Sequence, residues 1–316
     1  MLRYAATRIL FLALGLLVAS ALIFWALRIL PGDVAQMIAG TEGTPAQVER
    51  IRTDLGLDRP LAVQYVEWIG GVFTGDLGTS MLTRASVAGE LAAKAQVTIP
   101  LGAFSLLIAL AFALPLGVVS AVRRRTRTGA AIGVVSQLLA AVPIVWAGLM
   151  LVVLFAVVLG WLPAQGFPRT GWQNPADAIR ALILPSVTIG IVEGAMLMRF
   201  VRSATLQALG EDFVRTGAAK GLTRTQSLVR HGLPAVGLSV ITVLGIQVAG
   251  IVVGAVVIEQ VFTLPGIGRM LVTDVGARDL TMVQGELLVL TAFVLVTGFV
   301  VDLAHHAIDP RQREHR

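Results

Sequence analysis

Six long apolar blocks constrain this chain more than any other feature of its sequence. They cover approximately residues 9–30, 97–122, 130–160, 181–201, 235–258 and 284–304. A helix needs about 20 residues to cross the hydrocarbon layer of a bilayer, and each block reaches that length. The strands of a membrane β-barrel would instead alternate apolar and polar residues. The blocks therefore predict an all-α membrane protein with six transmembrane helices.

Charged residues are scarce, and the basic ones are unevenly distributed among the connections between the blocks. Only 14% of the residues are charged and the mean hydropathy is +0.81, which excludes an ordinary soluble domain. Of the 25 lysines and arginines, 15 lie in the N-terminus, the 123–128 turn, the 199–234 segment and the C-terminal tail. Because basic residues concentrate in short cytoplasmic loops, we expect both termini in the cytoplasm and the protein in the plasma membrane.

The same pattern divides the chain into four parts. Residues 1–30 are the N-terminus and first span, 31–96 an external helical segment, 97–310 a five-helix core and 311–316 a cytoplasmic tail. The external segment is too long for a simple connection. Thr44 and Gln47 form a capping box that begins a helix, and Gly56 predicts its end. The segment is either a small lid on the helix bundle or a docking surface for an external partner.

A polar, basic segment at residues 202–234 separates the fourth and fifth blocks. Residues 211–220 predict a short helix that ends at Gly221, because glycine readily adopts a left-handed stop. Thr223 and Gln226 form a second capping box, which begins another helix. The segment is therefore a helix–turn–helix hairpin, and it is either a solvated loop or a surface that another protein contacts.

This hairpin resembles the cytoplasmic loop of ATP-binding-cassette (ABC) importer permeases. That loop carries Glu-Ala-Ala, three residues, Gly, nine residues and Ile-x-Leu-Pro. Here residues 215–217 take the first slot, Gly221 is the glycine and residues 231–234 take the last slot. The stretch "DFVRTGAAKGL" looks like the variant found in peptide-type permeases. Similar stretches elsewhere are "ILPGD" at 29–33, "VVIEQVFTLPGIGRMLV" at 256–272 and "DP" at 309–310. Over essentially its whole length, the chain resembles the first-type permease subunit of dipeptide, oligopeptide and nickel importers.

The resemblance implies a type I ABC importer permease fold and a defined set of partners. These are a second homologous permease in a heterodimer, two cytoplasmic ABC ATPase subunits and an external substrate-binding protein. ATP and Mg²⁺ would bind to the ATPase subunits, and this chain would carry no catalytic, cofactor or metal site. In the family, the loop contacts the ATPase and transmits its closure to the membrane helices. By position, this coupling role falls to Arg215, Thr216, Gly217, Ala218, Ala219, Lys220, Gly221, Leu222 and Pro234.

Three charged residues are candidates for the translocation path or the outer gate. Glu193 lies well inside the fourth block, where a carboxylate is costly and is expected to face a cavity or a partner. It either attracts the ammonium end of a peptide or faces water or another subunit. Glu259 and Arg269 flank the outer Pro265-Gly266 turn and look like family positions near the outer gate.

Other classes of function find less support in the motifs. The chain has no Gly-x4-Gly-Lys-Ser/Thr nucleotide loop, so any dependence on ATP must come from another subunit. It also lacks the serine, zinc and paired-aspartate motifs of membrane-embedded enzymes. A secondary transporter or channel is a weaker alternative, because no internal repeat supports it. We expect a transport subunit that imports di- or oligopeptides by alternating access, with a nickel chelate or another small solute as the alternative.

Overall fold

The computed structural model describes residues 2–29, 34–40 and 42–308. Most of the "ILPGD" motif, the "DP" pair and the tail at 311–316 lie outside these ranges. The described residues form helices joined by turns, with one isolated bridge between Thr79 and Ser86. The prediction of an all-α protein is confirmed.

Thirteen α-helices account for the regular structure of the described residues. They are α1 (Leu2–Ile29), α2 (Val34–Ala39), α3 (Pro45–Asp54), α4 (Leu61–Phe73), α5 (Val87–Val122), α6 (Arg127–Ala141), α7 (Ile144–Leu151), α8 (Pro175–Ala208), α9 (Asp212–Ala219), α10 (Arg224–Ser227), α11 (Leu233–Val261), α12 (Ile267–Ala277) and α13 (Leu280–Ile308). Two π-helical segments continue α7 and α10, at Val152–Val158 and Leu228–Gly232. A short 3-10 turn at Gly171–Gln173 precedes α8.

Five continuous helical segments of the described chain are long and apolar enough to cross a membrane, and they contain α1, α5, α8, α11 and α13. The predicted block at 130–160 is not one helix, because α6 and α7 meet at a bend of 102°. Val142 is extended there, with φ −74° and ψ 125°, and Pro143 follows it. Proline disfavours the helical conformation in the residue before it, so the helix breaks at this point. With the bent pair counted as one span, the number of spans is six.

The chain divides into two compact units, Met1–Thr98 with Pro265–Val296 and Ile99–Leu264 with Thr297–Arg316. In the first unit, helix α4 packs on α1. The hydroxyl groups of Ser20 and Tyr65 are 2.9 Å apart, and the Phe24 ring contacts the rings of Tyr65 and Trp68. The Arg28 guanidinium lies 4.6 Å from the centre of the Phe24 ring. This part of the external segment is therefore held against the first span.

A second cluster of the first unit joins the start of α5 to α12 and α13. Its buried members are Val87, Leu91, Ile267, Met270 and Met282. Gly285 lies so close to this cluster that a Cβ there would be 2.5 Å from the Val87 side chain. Close packing of this kind holds the N-terminal end of α13 in place.

The second unit is built around α8, whose inner face is lined by small residues. A Cβ at Gly190 would lie 2.7 Å from the Ile108 side chain, and one at Gly194 would lie 2.4 Å from the Phe112 ring. A Cβ at Gly254 of α11 would contact Ile144 at 3.2 Å. Small residues let membrane helices approach closely, so these glycines serve packing.

Candidate functional site

The predicted helix–turn–helix hairpin is present between α8 and α11. Helix α9 ends before Gly221, which has φ +80°, and the Leu222 N–H donates to the Gly217 carbonyl at 2.9 Å. This left-handed glycine stop satisfies carbonyls that the end of a helix leaves exposed. Helix α10 begins with the capping box: the Thr223 N–H donates to Gln226 Oε1 at 2.9 Å, and the Gln226 N–H donates to Thr223 Oγ1 at 3.2 Å. Local sequence therefore determines both the turn and the second helix.

The two short helices of the hairpin touch through Gly217. A Cβ at this position would lie 2.1 Å from Ser227 Oγ. Gly217 and Ser227 are both buried. Gly232 permits a similar close contact at the other end of the hairpin. A Cβ at Gly232 would lie 2.7 Å from the Leu228 side chain and 3.1 Å from the Phe213 ring. The hairpin is thus a compact unit in which glycines permit contact between its helices.

The predicted coupling residues divide into an exposed and a packed set. Gly217 is buried and Leu222 is half-buried, so these two hold the hairpin together. Pro234 is exposed in the first turn of α11, directly after the π-helical segment Leu228–Gly232. The remaining members are exposed: Arg215, Thr216, Ala218, Ala219, Lys220 and Gly221. The exposed set combines the small side chains of Ala218 and Ala219 with the basic Arg215 and Lys220, and Arg215 lies 3.7 Å from the carboxylate of the exposed Asp212.

Apolar side chains join the hairpin to the two helices that flank it. Leu228 is fully buried, and Phe213 packs against the same cluster. The cluster also takes buried residues from α5, α8 and α11: Ala113, Leu197, Met198, Val201, Ala208, Val236 and Val240. The hairpin therefore shares one close-packed core with α8 and α11.

Glu193 lies near the middle of α8 and is bound to α11. The side-chain amide of Gln247 donates to Glu193 Oε2 at 2.5 Å and to the Glu193 backbone carbonyl at 3.0 Å. A Cβ at Gly250 would lie 2.9 Å from both Glu193 carboxylate oxygens. Gln247 was not predicted from the sequence. The available signal was an uncharged polar residue in the fifth span, three positions before a glycine.

Glu259 and Arg269 belong to different units of the chain. Glu259 is fully buried near the end of α11, in the second unit. Arg269 lies on α12 in the first unit and lines a cavity of about 580 Å³. The assignment of these residues to an outer gate stays a prediction.

The cavity beside Arg269 is also lined by Glu90, Lys94, Asp274 and Asp279. Asp279 caps α13 with a weak hydrogen bond, since its Oδ1 accepts from the Met282 N–H at 3.3 Å. The other carboxylate oxygen of Asp279 accepts a hydrogen bond from the Ser80 hydroxyl. Asp279 is thus satisfied by the turn around Ser80 and by the start of α13.

Asp274 and Glu286 form a pair of carboxyl groups that sequence reasoning did not single out. Burial raises the pKa of the Asp274 carboxyl above its usual 3.8, and the charges of Asp279 and Glu90 raise it further. A hydrogen bond with Glu286 and the charge of Lys94 lower the same pKa. Apart from a proton held between the two carboxyl groups, no donor of the described residues reaches either carboxylate oxygen of Glu286. A hydrogen bond between the two carboxyl groups requires a proton on one of them.

No group of three or more His, Asp or Glu side chains in the described part of the chain has the geometry of a metal site. Two arrangements link α8 and α11: the hairpin that both helices flank, and the Glu193–Gln247 contact between them.

Comparison with known proteins assigns the chain to a family. Residues 113–314 match the family described as "Binding-protein-dependent transport system inner membrane component", and residues 1–99 match the N-terminal region of the same class of component. The chain is 36% identical over 316 residues to the glutathione transport system permease protein GsiC of Salmonella typhi, with 99% of each chain covered. It is 36% identical over 313 residues to the protein of the same name from Escherichia coli, again with 99% of each covered.

A solved structure shares the fold. The inward-facing MetNI methionine ABC transporter matches with a TM-score of 0.55 and 17% sequence identity, over 69% of this chain and 96% of that chain. At this level of identity, the match shows the fold alone. The family matches cover most of the chain, and the relatives cover nearly all of it. The chain therefore belongs to the binding-protein-dependent transport system inner membrane components and is the permease subunit of an ABC importer of the peptide, oligopeptide and nickel family.

Proposed function

We propose that this permease imports small peptides and that partner ATPases drive it through the hairpin at 211–234. The observation that carries the proposal is the hairpin itself. Its exposed face carries the small Ala218 and Ala219 beside the basic Arg215 and Lys220. Its inner face packs against α8 and α11 through Leu228 and Phe213. A surface with these properties suits a partner that must approach closely and move two membrane helices.

The substrate proposal rests on the relatives. Two of them are permeases of glutathione transport systems, and glutathione is a tripeptide. Di- and oligopeptides share its amide groups and charged ends, so the proposed substrate class is short peptides that include glutathione. Nickel chelates are the alternative within the same family.

The proposed assembly contains several other subunits. This chain pairs with a second homologous permease, and two cytoplasmic ABC ATPases bind ATP and Mg²⁺ and carry out hydrolysis. An external binding protein delivers the substrate. Both termini lie in the cytoplasm, in accord with the excess of basic residues in the short loops on that side.

A cross-linking experiment tests the role of the hairpin. The chain has no cysteine, so a single Ala218→Cys substitution introduces the only thiol at an exposed position of α9. It is expressed with ATPase subunits that carry single cysteines along the candidate groove, and disulfide formation is measured in membranes with and without ATP. A specific cross-link whose yield changes with ATP supports the proposal. The matched control is a cysteine at exposed Ile246 of α11, away from the hairpin. Equal yields at Ala218 and Ile246 would refute the proposal.

The substrate is tested separately with the complete transporter in proteoliposomes. Uptake of labelled glutathione, a dipeptide, a pentapeptide and a nickel chelate is measured under saturating ATP. Uptake of any of the three peptides supports the proposed class. Uptake of the chelate alone refutes the peptide proposal while leaving the role of the hairpin intact.

A further inference from the structure

The helices that enter and leave the coupling hairpin are joined a second time, far from the hairpin. Glu193 is the 19th residue of the 34-residue α8, and Gln247 is the middle residue of α11. At a rise of about 1.5 Å per residue, Glu193 lies about 22 Å along α8 from Ala208, and Gln247 lies about 21 Å along α11 from Leu233. The two residues are therefore at matching heights above the hairpin.

The contact at this height is polar and closely fitted. The Gln247 amide donates to both the carboxylate and the backbone carbonyl of Glu193, at 2.5 and 3.0 Å. Gly250 leaves the space that the carboxylate occupies, since its absent Cβ would be 2.9 Å from each carboxylate oxygen. A charged group inside a span is costly unless it is bound, so the pair resists separation.

Between this contact and the hairpin, α8 and α11 are packed together by apolar residues. Leu197 and Val201 of α8 share a buried cluster with Val236 and Val240 of α11. The hairpin closes one end of the α8–α11 pair, the apolar cluster fills the interval, and the Glu193–Gln247 contact closes the other end. Because α8 and α11 are connected at three heights, the two helices cannot pivot about any single connection.

We propose that Glu193 is a positioning residue whose hydrogen bonds with Gln247 make α8 and α11 move as one rigid lever on the coupling hairpin. This inference rests on the proposed coupling function of the hairpin. Under this proposal, the Glu193 carboxylate binds Gln247 in the contact between α8 and α11 and does not bind the ammonium group of a peptide.

The test follows the separation of α8 and α11 directly. Spin labels are attached through Met196→Cys on α8 and Ile246→Cys on α11, both of which are exposed and adjacent to the contact. Distances between the labels are measured by pulsed electron paramagnetic resonance in the assembled transporter, in the resting state and in the vanadate-trapped state. No substrate is needed. We expect one narrow distribution that is the same in both states.

Substitutions at Glu193 and Gln247 separate the proposal from its rivals. Glu193→Ala and Gln247→Leu are expected to widen the distance distribution about two-fold and to make it differ between the two states. Stimulation of ATPase activity by the binding protein is expected to fall about five-fold, the lower end of typical coupling between sites. Glu193→Gln retains an oxygen that accepts from Gln247, so it is expected to behave as the wild type does.

A reciprocal exchange provides the rescue. Gln247→Glu alone sets two carboxylates against each other and is expected to separate the helices. Adding Glu193→Gln supplies a donor for the new carboxylate and restores the hydrogen bond between the side chains, but not the one to the backbone carbonyl of residue 193. The distribution is therefore expected to narrow again, toward that of the wild type. The matched control is Thr242→Ala on α11, which removes only a hydrogen bond within its own helix, from Thr242 Oγ1 to the Leu238 carbonyl at 3.2 Å.

Several results would overturn the proposal. One is a distribution that stays narrow in Glu193→Ala, and another is a Glu193→Gln variant as loose as Glu193→Ala. A third is loss of ATPase stimulation in Glu193→Gln with unchanged distances, which would point to a substrate contact. If the alanine variant does not fold, the exchange variants still decide, because Gln247→Glu alone has two opposed carboxylates and the double exchange has one, as the wild type does. If the Ala218→Cys variant forms no specific cross-link with the ATPase, the coupling function of the hairpin is refuted. Failure of the lever proposal shows in the label distances instead, so the two failures are distinguishable.

Discussion

The tightest contact in the hairpin makes a quantitative prediction for Gly217→Ala. The added methyl group would lie 2.1 Å from Ser227 Oγ and 3.1 Å from Ser227 Cβ. Favourable contacts between heavy atoms begin at about 3.5 Å, so α9 and α10 must move apart by more than an ångström or reorient Ser227. Overpacking costs about 1–3 kcal/mol, whereas alanine in place of a helical glycine gains about 0.5–1 kcal/mol. We expect a net loss of about 1–2 kcal/mol in the local stability of the hairpin.

The same geometry predicts a rescue. Ser227 Oγ is buried and makes no hydrogen bond with the described residues, so Ser227→Ala removes the clashing atom without losing a bond. Ser227→Ala alone is expected to be neutral or slightly stabilising. Combined with Gly217→Ala, it is expected to recover at least 1 kcal/mol, a coupling typical of residues in contact.

Hydrogen exchange of the amides between residues 212 and 232 in the purified protein measures this effect. A loss of about 1.4 kcal/mol raises the rate of exchange through local opening about ten-fold. Gly221→Ala is the matched control: a Cβ there meets nothing, but φ is +80°, so its strain of about 1–2 kcal/mol is conformational. Ser227→Ala is not expected to rescue it. If Gly217→Ala exchanges at the wild-type rate, or if Ser227→Ala rescues both glycine variants equally, the steric reasoning is refuted.

Three further predictions concern single side chains. Thr223→Ala removes the cap from α10 and is expected to cost about 0.5–2 kcal/mol of local stability. The loss is measured as faster hydrogen exchange of the Gln226 amide. Amide exchange in α1 is the control and is expected to stay unchanged. Because the pKa of Asp274 is raised, the folded protein holds this proton more tightly than the unfolded chain. The stability that this tighter proton binding contributes is complete below pH 3.8 and is lost as the pH rises through the folded-state pKa of Asp274. Asp274→Asn is therefore expected to raise the melting temperature more at pH 8 than at pH 4. An equal shift in melting temperature at both pH values would contradict this. Gly190→Ala is expected to cost about 1–3 kcal/mol in thermal unfolding, because its Cβ would meet Ile108 at 2.7 Å and a backbone oxygen at 3.0 Å, and a neutral result would show that α5 yields easily.

Features that depend on neighbouring residues were predicted well from the sequence. The capping boxes at Thr44 and Thr223 and the glycine stops at Gly56 and Gly221 are all present. Each uses hydrogen bonds or backbone freedom within about four residues, so the pattern of residues carries the information. The break at Pro143 has an equally local cause, and block length alone did not show that the predicted span over 130–160 is a bent pair of helices.

The roles of the exposed coupling residues, of Glu259 and of Arg269 remain predictions. Each depends on what those side chains meet in the assembled transporter. The described residues do show the hairpin's exposed face and the cavity beside Arg269, on which the experiments above depend.

By itself, the sequence determined the apolar segments, the local stops and caps of the helices, and the position of the hairpin, because these follow from hydrophobic length and from bonds between near neighbours. Only the tertiary structure decided what Glu193 and Gly217 contact. Gln247 is 54 positions away from Glu193, and Ser227 meets Gly217 only after the chain reverses at Gly221. Contacts of this kind arise when helices pack, and the spacing of residues along one helix does not reveal which side chain of another helix will lie opposite.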